Sequence, residues 1–379
     1  MLIKNGLVYD SQKASFERKD INIDNGKIVD FDVNDGNVVD ACGAYIVPAL
    51  IDVHTHGRAR FDFIYATDEQ LHTMAGAYAK AGVLSVMPTI ASAPLEDMLA
   101  AVERINKFVP KDDEADFVGV HMEGRYLNPA KKGAHNEELL KPLMASELDN
   151  KVLLDCRALH ISAALELDDG SFARKAKDIG ATIGLGHTNA TYKEAKGAEE
   201  LGISSYTHLY NCMPPLHHRD GGAVCAALLG DAYVELICDG IHISPEMIRL
   251  AYKCKGSDKV TLISDSMEAT GCSDGDYTIA GNTVVVKDGV ARTESGALAG
   301  STLNLFDAVK NLSEFCMIDF AKALPCATVN PAKQVGIFDK YGSIDVGKSA
   351  DLIIINDIDS PKIDGLVIRG RLFFGGVDE

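Results

Sequence analysis

Residues 50–57 read LIDVHTHG, an apolar run closed by two histidines one residue apart and then a glycine. In an extended strand alternate side chains share a face, so His54 and His56 point the same way, with Leu50 and Asp52 in the same parity. Ile51 and Val53 point the other way, toward whatever covers the sheet. The stretch predicts a strand that carries a His-x-His pair out at its C-terminal end. Paired imidazoles are what a chelated transition metal requires. Chance proximity among the 11 histidines of the chain is the alternative, and the flanking sequence decides between the two.

Working outward, apolar runs alternate with helical patterns. Candidate strands are ALIDVHTH, VLSVMPTI, DFVGVHMEG, a weaker one around residues 158–166, ATIGLGHT, SSYTHLYN, YVELICDGIH and KVTLISDS. Helical stretches such as TDEQLHTMAGAYAKAG, PLEDMLAAVERINKFV, SFARKAKDIG and TYKEAKGAEELG lie between them. Eight β-then-α units predict a (β/α)8 TIM-like barrel over residues 49–344. A doubly wound open sheet would want a glycine-rich phosphate loop after its first strand, where this chain has histidines. The two ends differ from the middle. Residues 1–48 read as short strands, with Asn25-Gly26 at a hairpin tip. Residues 345–379 contain ADLIIIND and GLVIRGRLFFG. Both ends together predict one small β-sandwich domain.

Composition narrows the function. A chain of 379 residues accommodates a barrel of ~250 residues plus a minor domain. Its net charge of −18 leaves no basic face for phosphate backbones, so no nucleic-acid partner is expected. Nine cysteines without a C-x-x-C pair suit reduced thiols packed as small hydrophobes. The opening MLIKNGLVYD lacks the basic-then-apolar layout of a signal peptide, and no apolar run approaches ~18 residues. A soluble cytoplasmic protein with no membrane partner is expected.

The polar residues collect at strand ends. His54 and His56 close strand 1, Glu123 closes strand 3, His187 strand 5 and His208 strand 6. His242 follows strand 7, and Asp265 ends strand 8. In a barrel all these ends meet at one rim, where catalytic groups of this fold sit. Buried together without a cation, the carboxylates would repel one another and the imidazoles would lack partners. A divalent metal resolves both problems. His121 shares the parity of Glu123 and reads as packing or support. His72 and His160 read as structural, and His217 as a solvated loop residue. Lys131 and Lys132 read equally as a solvated pair or as steering charges. Arg219 is the better anion ligand, because guanidinium matches phosphate geometry.

The stretches PALIDVHTHG, HMEGRYLNPAKKGAHN, GLGHTNATY, THLYNCMPPLHHRDGG, ICDGIHI, LISDSMEATG, LAGSTL and DVGKSADLIIIN resemble the amidohydrolase superfamily. Within it they resemble the N-acetylglucosamine-6-phosphate deacetylases, over essentially the whole chain. The resemblance implies that Glu123, His187 and His208 hold the main metal. With Glu123 bridging, His54 and His56 would complete a second site. It implies Asp265 as catalytic acid/base and His242 as a contact to the substrate carbonyl. Asn211, Cys212, His218 and Arg219 would form the sugar-phosphate loop, and His135 a further substrate contact. Zinc, iron, manganese or cobalt would serve, one or two ions per subunit. A homodimer is expected, which leaves open whether Arg219 serves its own site or a neighbour's. Two departures bear on loop geometry: Arg125 stands where proline is usual after the Glu-Gly pair, and Ala164-Leu165-Glu166 where Ala-Pro-Glu is usual.

The implied reaction is hydrolysis of N-acetylglucosamine 6-phosphate to glucosamine 6-phosphate and acetate. An amide is a poor electrophile and water a poor nucleophile, and a divalent cation lowers the pKa of water from ~15.7 towards ~7. Asp265 would take the proton as water attacks the acetyl carbon and return it to the departing nitrogen. The nearest alternative is an amidohydrolase acting on another N-acyl amino sugar or a cyclic amide. Cyclic-amidase relatives bridge two metals with a carboxylated lysine on strand 4, and no lysine stands at that strand end. A non-catalytic barrel relative would lack ligands or the strand-8 aspartate, and here all are present.

Overall fold

The structure, a computed structural model, describes residues 1–33 and 36–374. Eight parallel strands follow one another around a barrel: Leu50–Thr55, Val83–Ala91, Val120–Glu123, Leu159–Ala163, Thr182–Leu185, Ser205–Tyr206, Tyr233–Ile237 and Val260–Ile263. They are called strands 1 to 8 below. Strand 3 has a separate first piece, Asp116–Phe117, so the expected DFVGVHMEG run is broken at Val118-Gly119. Closure between strands 8 and 1 is slight. The Asp265 N–H donates to the His54 carbonyl at 2.9 Å, and Thr55 bridges Ser266.

Helices fill the connections where sequence periodicity places them. Asp68–Lys80 starts at a Thr67/Gln70 capping box and buries Leu71, Met74, Ala75, Tyr78 and Ala79, one stripe of its surface. Tyr192–Glu200 starts at a second box, Thr191/Glu194. Outward strand residues Val120, Met122, Leu159, Ile161, Val234, Leu236, Val260 and Leu262 pack with these helices in one apolar core. Strand 1 departs from simple alternation, because its pairing with strand 2 slips after Leu50 and again after Asp52. Ile51 and Val53 consequently join Met87, Ile237, Ile263 and the Ala332, Val335 and Ile337 side chains in a separate apolar cluster.

Both ends of the chain build a second sheet. Its order is Arg371–Phe374, Gly365–Ile368, Leu352–Ile355, Tyr45–Pro48, Leu2–Asp10, Ser15–Asp24 and Lys27–Val29, with Val38–Asp40 beside the first half of Leu2–Asp10. The expected sandwich is thus one continuous sheet. A bulge between Ile3 and Gly6 lets Leu2–Asp10 pair with two different neighbours along its length. The sheet covers its own core of Ile3, Val8, Ile21, Ile23, Ile46, Leu352 and Val367. Residues 375–379 of the expected terminal segment lie outside the described residues.

One element was not anticipated. After strand 8 an antiparallel sheet of Gly275–Ile279, Asn282–Lys287 and Val290–Thr293 projects before helix Leu305–Cys316. Its turns, Ala280-Gly281 and Asp288-Gly289, have positive φ at both positions, the geometry that joins two-residue hairpins. Among the described residues no helix is long and apolar enough to cross a membrane.

The packing predicts an alkaline limit to stability. Burial raises Tyr9, Tyr78, Tyr126, Tyr206 and Tyr341, and pushes Tyr210 and Tyr252 up to about 12. Unfolded tyrosines ionise near ~10. Above that pH the unfolded chain sheds protons that the folded one keeps, so these groups' contribution is intact below pH ~10 and is lost as pH rises towards 12. Urea midpoints should be level from pH 8 to 9.5 and fall steeply by pH 11. A flat profile to pH 11 would count against this packing.

Candidate active site

Glu123 ends strand 3 buried, and both of its oxygens are surrounded. Oε1 lies 2.9 Å from His208 Nε2 and 3.3 Å from His187 Nε2. Oε2 lies 3.0 Å from His56 Nε2, 3.4 Å from His54 Nε2 and 3.7 Å from His135 Nε2. Asp265 Oδ1 faces the same histidines, 3.3 Å from His56 Nε2 and 3.5 Å from His54 Nε2. The strand ends predicted to converge do so. Burial pushes the Glu123 carboxyl up, but the charge on His54 and hydrogen bonds from His135, His187 and His208 reverse this and hold it well below the ordinary range. Asp265 behaves alike: burial raises it, His54 and His56 more than compensate, and it stays ionised at neutral pH.

Two groups of side chains could hold an ion: His54, His56 and Glu123, and Glu123, His135 and His187. His208 Nε2 also stands 3.0 Å from His187 Nε2, a contact between two nitrogens that a shared cation satisfies better than one proton. The donor set therefore fits a divalent metal.

The far nitrogen of each ring sorts these histidines. His187 Nδ1 lies 2.8 Å from the Lys131 carbonyl oxygen, an acceptor only, so Nδ1 keeps a proton, and Nε2 faces Glu123, as a donor to it or, once that second proton is lost, as a ligand for an ion. His54 Nδ1 lies 3.4 Å from the Glu235 carboxylate, which has the same effect. His135 is the reverse. Its Nδ1 accepts from the Ser92 N–H at 3.4 Å and meets the Ser92 hydroxyl at 2.9 Å, so its proton sits on Nε2. Burial moreover lowers His135 to about 4 and keeps it neutral. His135 is thus a donor into the site and a poor metal ligand, in keeping with the substrate contact expected of it. His121, read as packing or support, lies beneath His54 with both nitrogens against the hydroxyls of Thr89 and Ser162.

The strand ends turn sharply to present these groups. His187, His208 and Asp265 adopt left-handed backbone conformations, with φ of 46°, 31° and 48°. Neighbouring loops hold the turns: Asn211 N–H donates to the His208 carbonyl at 3.0 Å, and Ser301 N–H to the Asp265 carbonyl at 2.7 Å. Gly133 has φ +56°, and a Cβ there would stand 2.7 Å from Cys212 Sγ and 3.1 Å from the His187 ring, so only glycine lets its loop lie against the histidine.

A cavity open to solvent lies directly above the cluster. Its lining includes His56, Glu123, His135, His187, His208, Asn211, Cys212, His242 and Asp265. Ile279, Ala280 and the Leu298-Ala299-Gly300 turn complete it, so the unanticipated sheet forms one wall. Asn282 of that sheet donates to the Ala134 carbonyl at 2.6 Å and ties this wall to the loop carrying His135. His54 sits behind His56 and off the lining. His218 and Arg219 are exposed and bonded to each other at 2.7 Å, and neither lines the cavity.

Other residues in contact with the site were not foreseen. Asp239 Oδ2 accepts the His242 Nδ1 proton at 2.6 Å and leaves Nε2 free. Burial works against the His242 imidazolium, but Asp239 outweighs it and holds the ring above the ordinary histidine value. Glu235 sits beneath His54. The signal for it was the alternation in VHME, LHIS and VELI, where a polar residue recurs at the inward position of consecutive strands. One of the two loop departures has an explanation in the structure, and nothing in it explains Leu165. Arg125 has φ +68°, which proline cannot adopt, and its guanidinium pairs with half-buried Glu147 at 2.9 Å. Glu166 accepts from Asn128, Thr188 and the Asn189 N–H, bracing two loops together.

The Amidohydrolase family profile matches residues 45–373. An N-acetylglucosamine-6-phosphate deacetylase of Vibrio furnissii is 37% identical over 87% of this chain and 83% of its own. An N-acetylgalactosamine-6-phosphate deacetylase of Escherichia coli O157:H7 is 35% identical over 86% and 87%. The crystal structure of N-acetylglucosamine-6-phosphate deacetylase from Thermotoga maritima superposes with a TM-score of 0.88 at 30% identity, covering 99% of this chain and 100% of that one. The chain belongs to the amidohydrolase family.

The Arg125 loop yields a stability prediction. Proline there clashes with the left-handed backbone, removes the N–H that donates to Ser92 Oγ at 3.2 Å and takes the guanidinium from Glu147, which keeps only the Tyr126 hydroxyl. Arg125→Pro should lose about 3 kcal/mol or more, read from urea unfolding. Wild-type stability in this variant would mean that the loop has a second path.

Proposed function

We propose that this protein hydrolyses the N-acetyl group of N-acetylglucosamine 6-phosphate, giving glucosamine 6-phosphate and acetate. The observation that carries the reading is the Asp265 carboxylate set beside a cluster of imidazoles and Glu123, at the mouth of a small cavity in a chain so similar to such deacetylases. Glu123, His187 and His208 would hold the main divalent ion, with His54 and His56 completing a second position around Glu123. When bound, the ion acidifies water and draws electron density from the acetyl oxygen.

The chain's own residues account for the rest. Asp265 takes the proton of the attacking water and delivers it to the sugar nitrogen, which leaves as an amine. His242, whose imidazolium Asp239 favours, donates its Nε2 proton toward the acetyl carbonyl and stabilises the charge that develops on its oxygen. His135 donates from Nε2 to the bound sugar. The lining contains no lysine or arginine, so the phosphate needs a cation from elsewhere. Arg219 and His218 stand on the loop that leaves the lining at Cys212, and they would meet it from the same subunit or from a neighbour in a dimer. The galactosamine-directed relative makes the C4 epimer the second substrate to assay.

Two experiments test this reading. Glu123→Ala should lose bound metal and nearly all deacetylation together. Asp265→Asn should keep the metal and lose a factor of ~10² or more in kcat. Full metal and full turnover in Glu123→Ala would refute the site. For the substrate, four kcat/KM values suffice: wild type and Arg219→Ala, each on the phosphorylated and the free sugar. A charge-assisted contact should couple the two changes by roughly 1.5–3 kcal/mol. An equal penalty on both sugars would remove Arg219 from phosphate recognition. A wild-type preference for the free sugar would remove the sugar phosphate itself.

A further inference from the structure

Strand 7 carries Glu235 into the barrel interior, where it is wholly buried. Its carboxylate has five partners. Oε1 accepts from Gln334 Nε2 at 2.6 Å and Ser205 Oγ at 3.1 Å, and lies 3.6 Å from His160 Nε2. Oε2 lies 3.4 Å from His54 Nδ1 and accepts the His208 backbone N–H at 3.3 Å. A buried carboxylate with this many partners is fixed in position.

His54 and His208 depend on it unequally. The His208 turn has other holds: its carbonyl accepts from the Asn211 N–H and side-chain amide, and its Nε2 meets Glu123. For Nδ1 of the fully buried His54, Glu235 is the partner, and His54 Nε2 has no hydrogen-bond partner of its own. Without an acceptor at Nδ1 nothing would select the tautomer whose Nε2 lone pair faces the cavity. His187 is oriented in the same way by a neutral carbonyl, whereas a carboxylate also makes the imidazole a stronger donor.

We propose that Glu235 is the positioning residue for the cation site formed by His54, His56 and Glu123, fixing the His54 ring so that this second ion can bind. The inference rests on the reading that the cluster holds divalent metal. Ligand positioning of this kind changes metal affinity by ~10–100-fold where measured.

The test is metal content, independent of turnover. Wild type, Glu235→Ala, Glu235→Gln and His54→Asn are dialysed with excess Mn2+ and then freed of unbound ion. Ions per chain are counted by mass spectrometry, affinities measured by calorimetry, and folding followed by circular dichroism. Wild type should carry two ions. Glu235→Ala should carry one, as should His54→Asn, with no further loss when the two are combined. Glu235→Gln keeps an acceptor oxygen for His54 Nδ1, so it should retain the second ion with roughly tenfold weaker affinity. Two ions at wild-type affinity in Glu235→Ala would overturn the proposal. So would loss of both ions in a folded Glu235→Ala, which would make the residue a general support. If Glu235→Ala does not fold, an unweakened Glu235→Gln overturns it. A wild type that carries a single ion overturns it while leaving the hydrolase reading intact. A two-ion wild type with no deacetylase activity refutes that reading alone.

Discussion

A single buried carboxylate, Glu123, lies within 3.7 Å of five imidazole nitrogens contributed by strand ends and one loop. That arrangement is stable only if strands 1, 3, 5 and 6 end at the same height around one axis, which a closed parallel barrel provides. It also sets the backbone. His187, His208 and Asp265 adopt left-handed conformations that non-glycine residues avoid, at a cost of order 1–3 kcal/mol each. The surrounding loops over-determine those turns through Asn211, Ser301 and Asn128, whose N–H donates to the His187 carbonyl at 3.0 Å. Strain is therefore concentrated where the chemistry lies, and the apolar strand–helix packing below supports it.

One residue type takes several roles here, and the nitrogen facing away from the cavity decides which. A carbonyl or carboxylate behind His187 and His54 gives each a lone pair in front. A backbone N–H behind His135 gives it a proton in front. Hydroxyls on both nitrogens of His121 leave it nothing to offer, and Asp239 behind His242 fixes a proton on Nδ1 and shifts the ring toward the imidazolium. Ligand, donor and filler are distinguished by partners that the spacing of the histidines alone does not reveal.

This explains what could be read from the chain. The barrel was legible because strands and helices alternate with contrasting periodicities. The rim was legible because seven of its polar residues end those strands or follow them closely. Glu235 was not, since it lies inside an apolar run whose outward neighbours Val234 and Leu236 dominate the pattern. The sheet of residues 275–293 was missed although Asp288-Gly289 announces a hairpin. Once eight strands are counted the barrel is complete, and an insertion that walls the cavity has no place in that count. Arg125 marks a loop whose left-handed turn is visible only in three dimensions.

The electrostatics of the cavity adds a constraint that sequence motifs do not state. The chain is strongly acidic at −18, the lining has no lysine or arginine, and three carboxylates, Glu123, Asp265 and Glu235, lie against the His54 ring. With neutral imidazoles, one divalent ion leaves these carboxylates net negative. Two ions make the set net positive. In a buried site of low effective dielectric that reversal of sign acts over several ångströms and is little screened by salt. An anionic sugar substrate would meet repulsion in the first case and attraction in the second. On the proposed function, the histidines of strand 1, and the carboxylate proposed to orient His54, would thus bear on substrate recognition as well as on the ion they would hold.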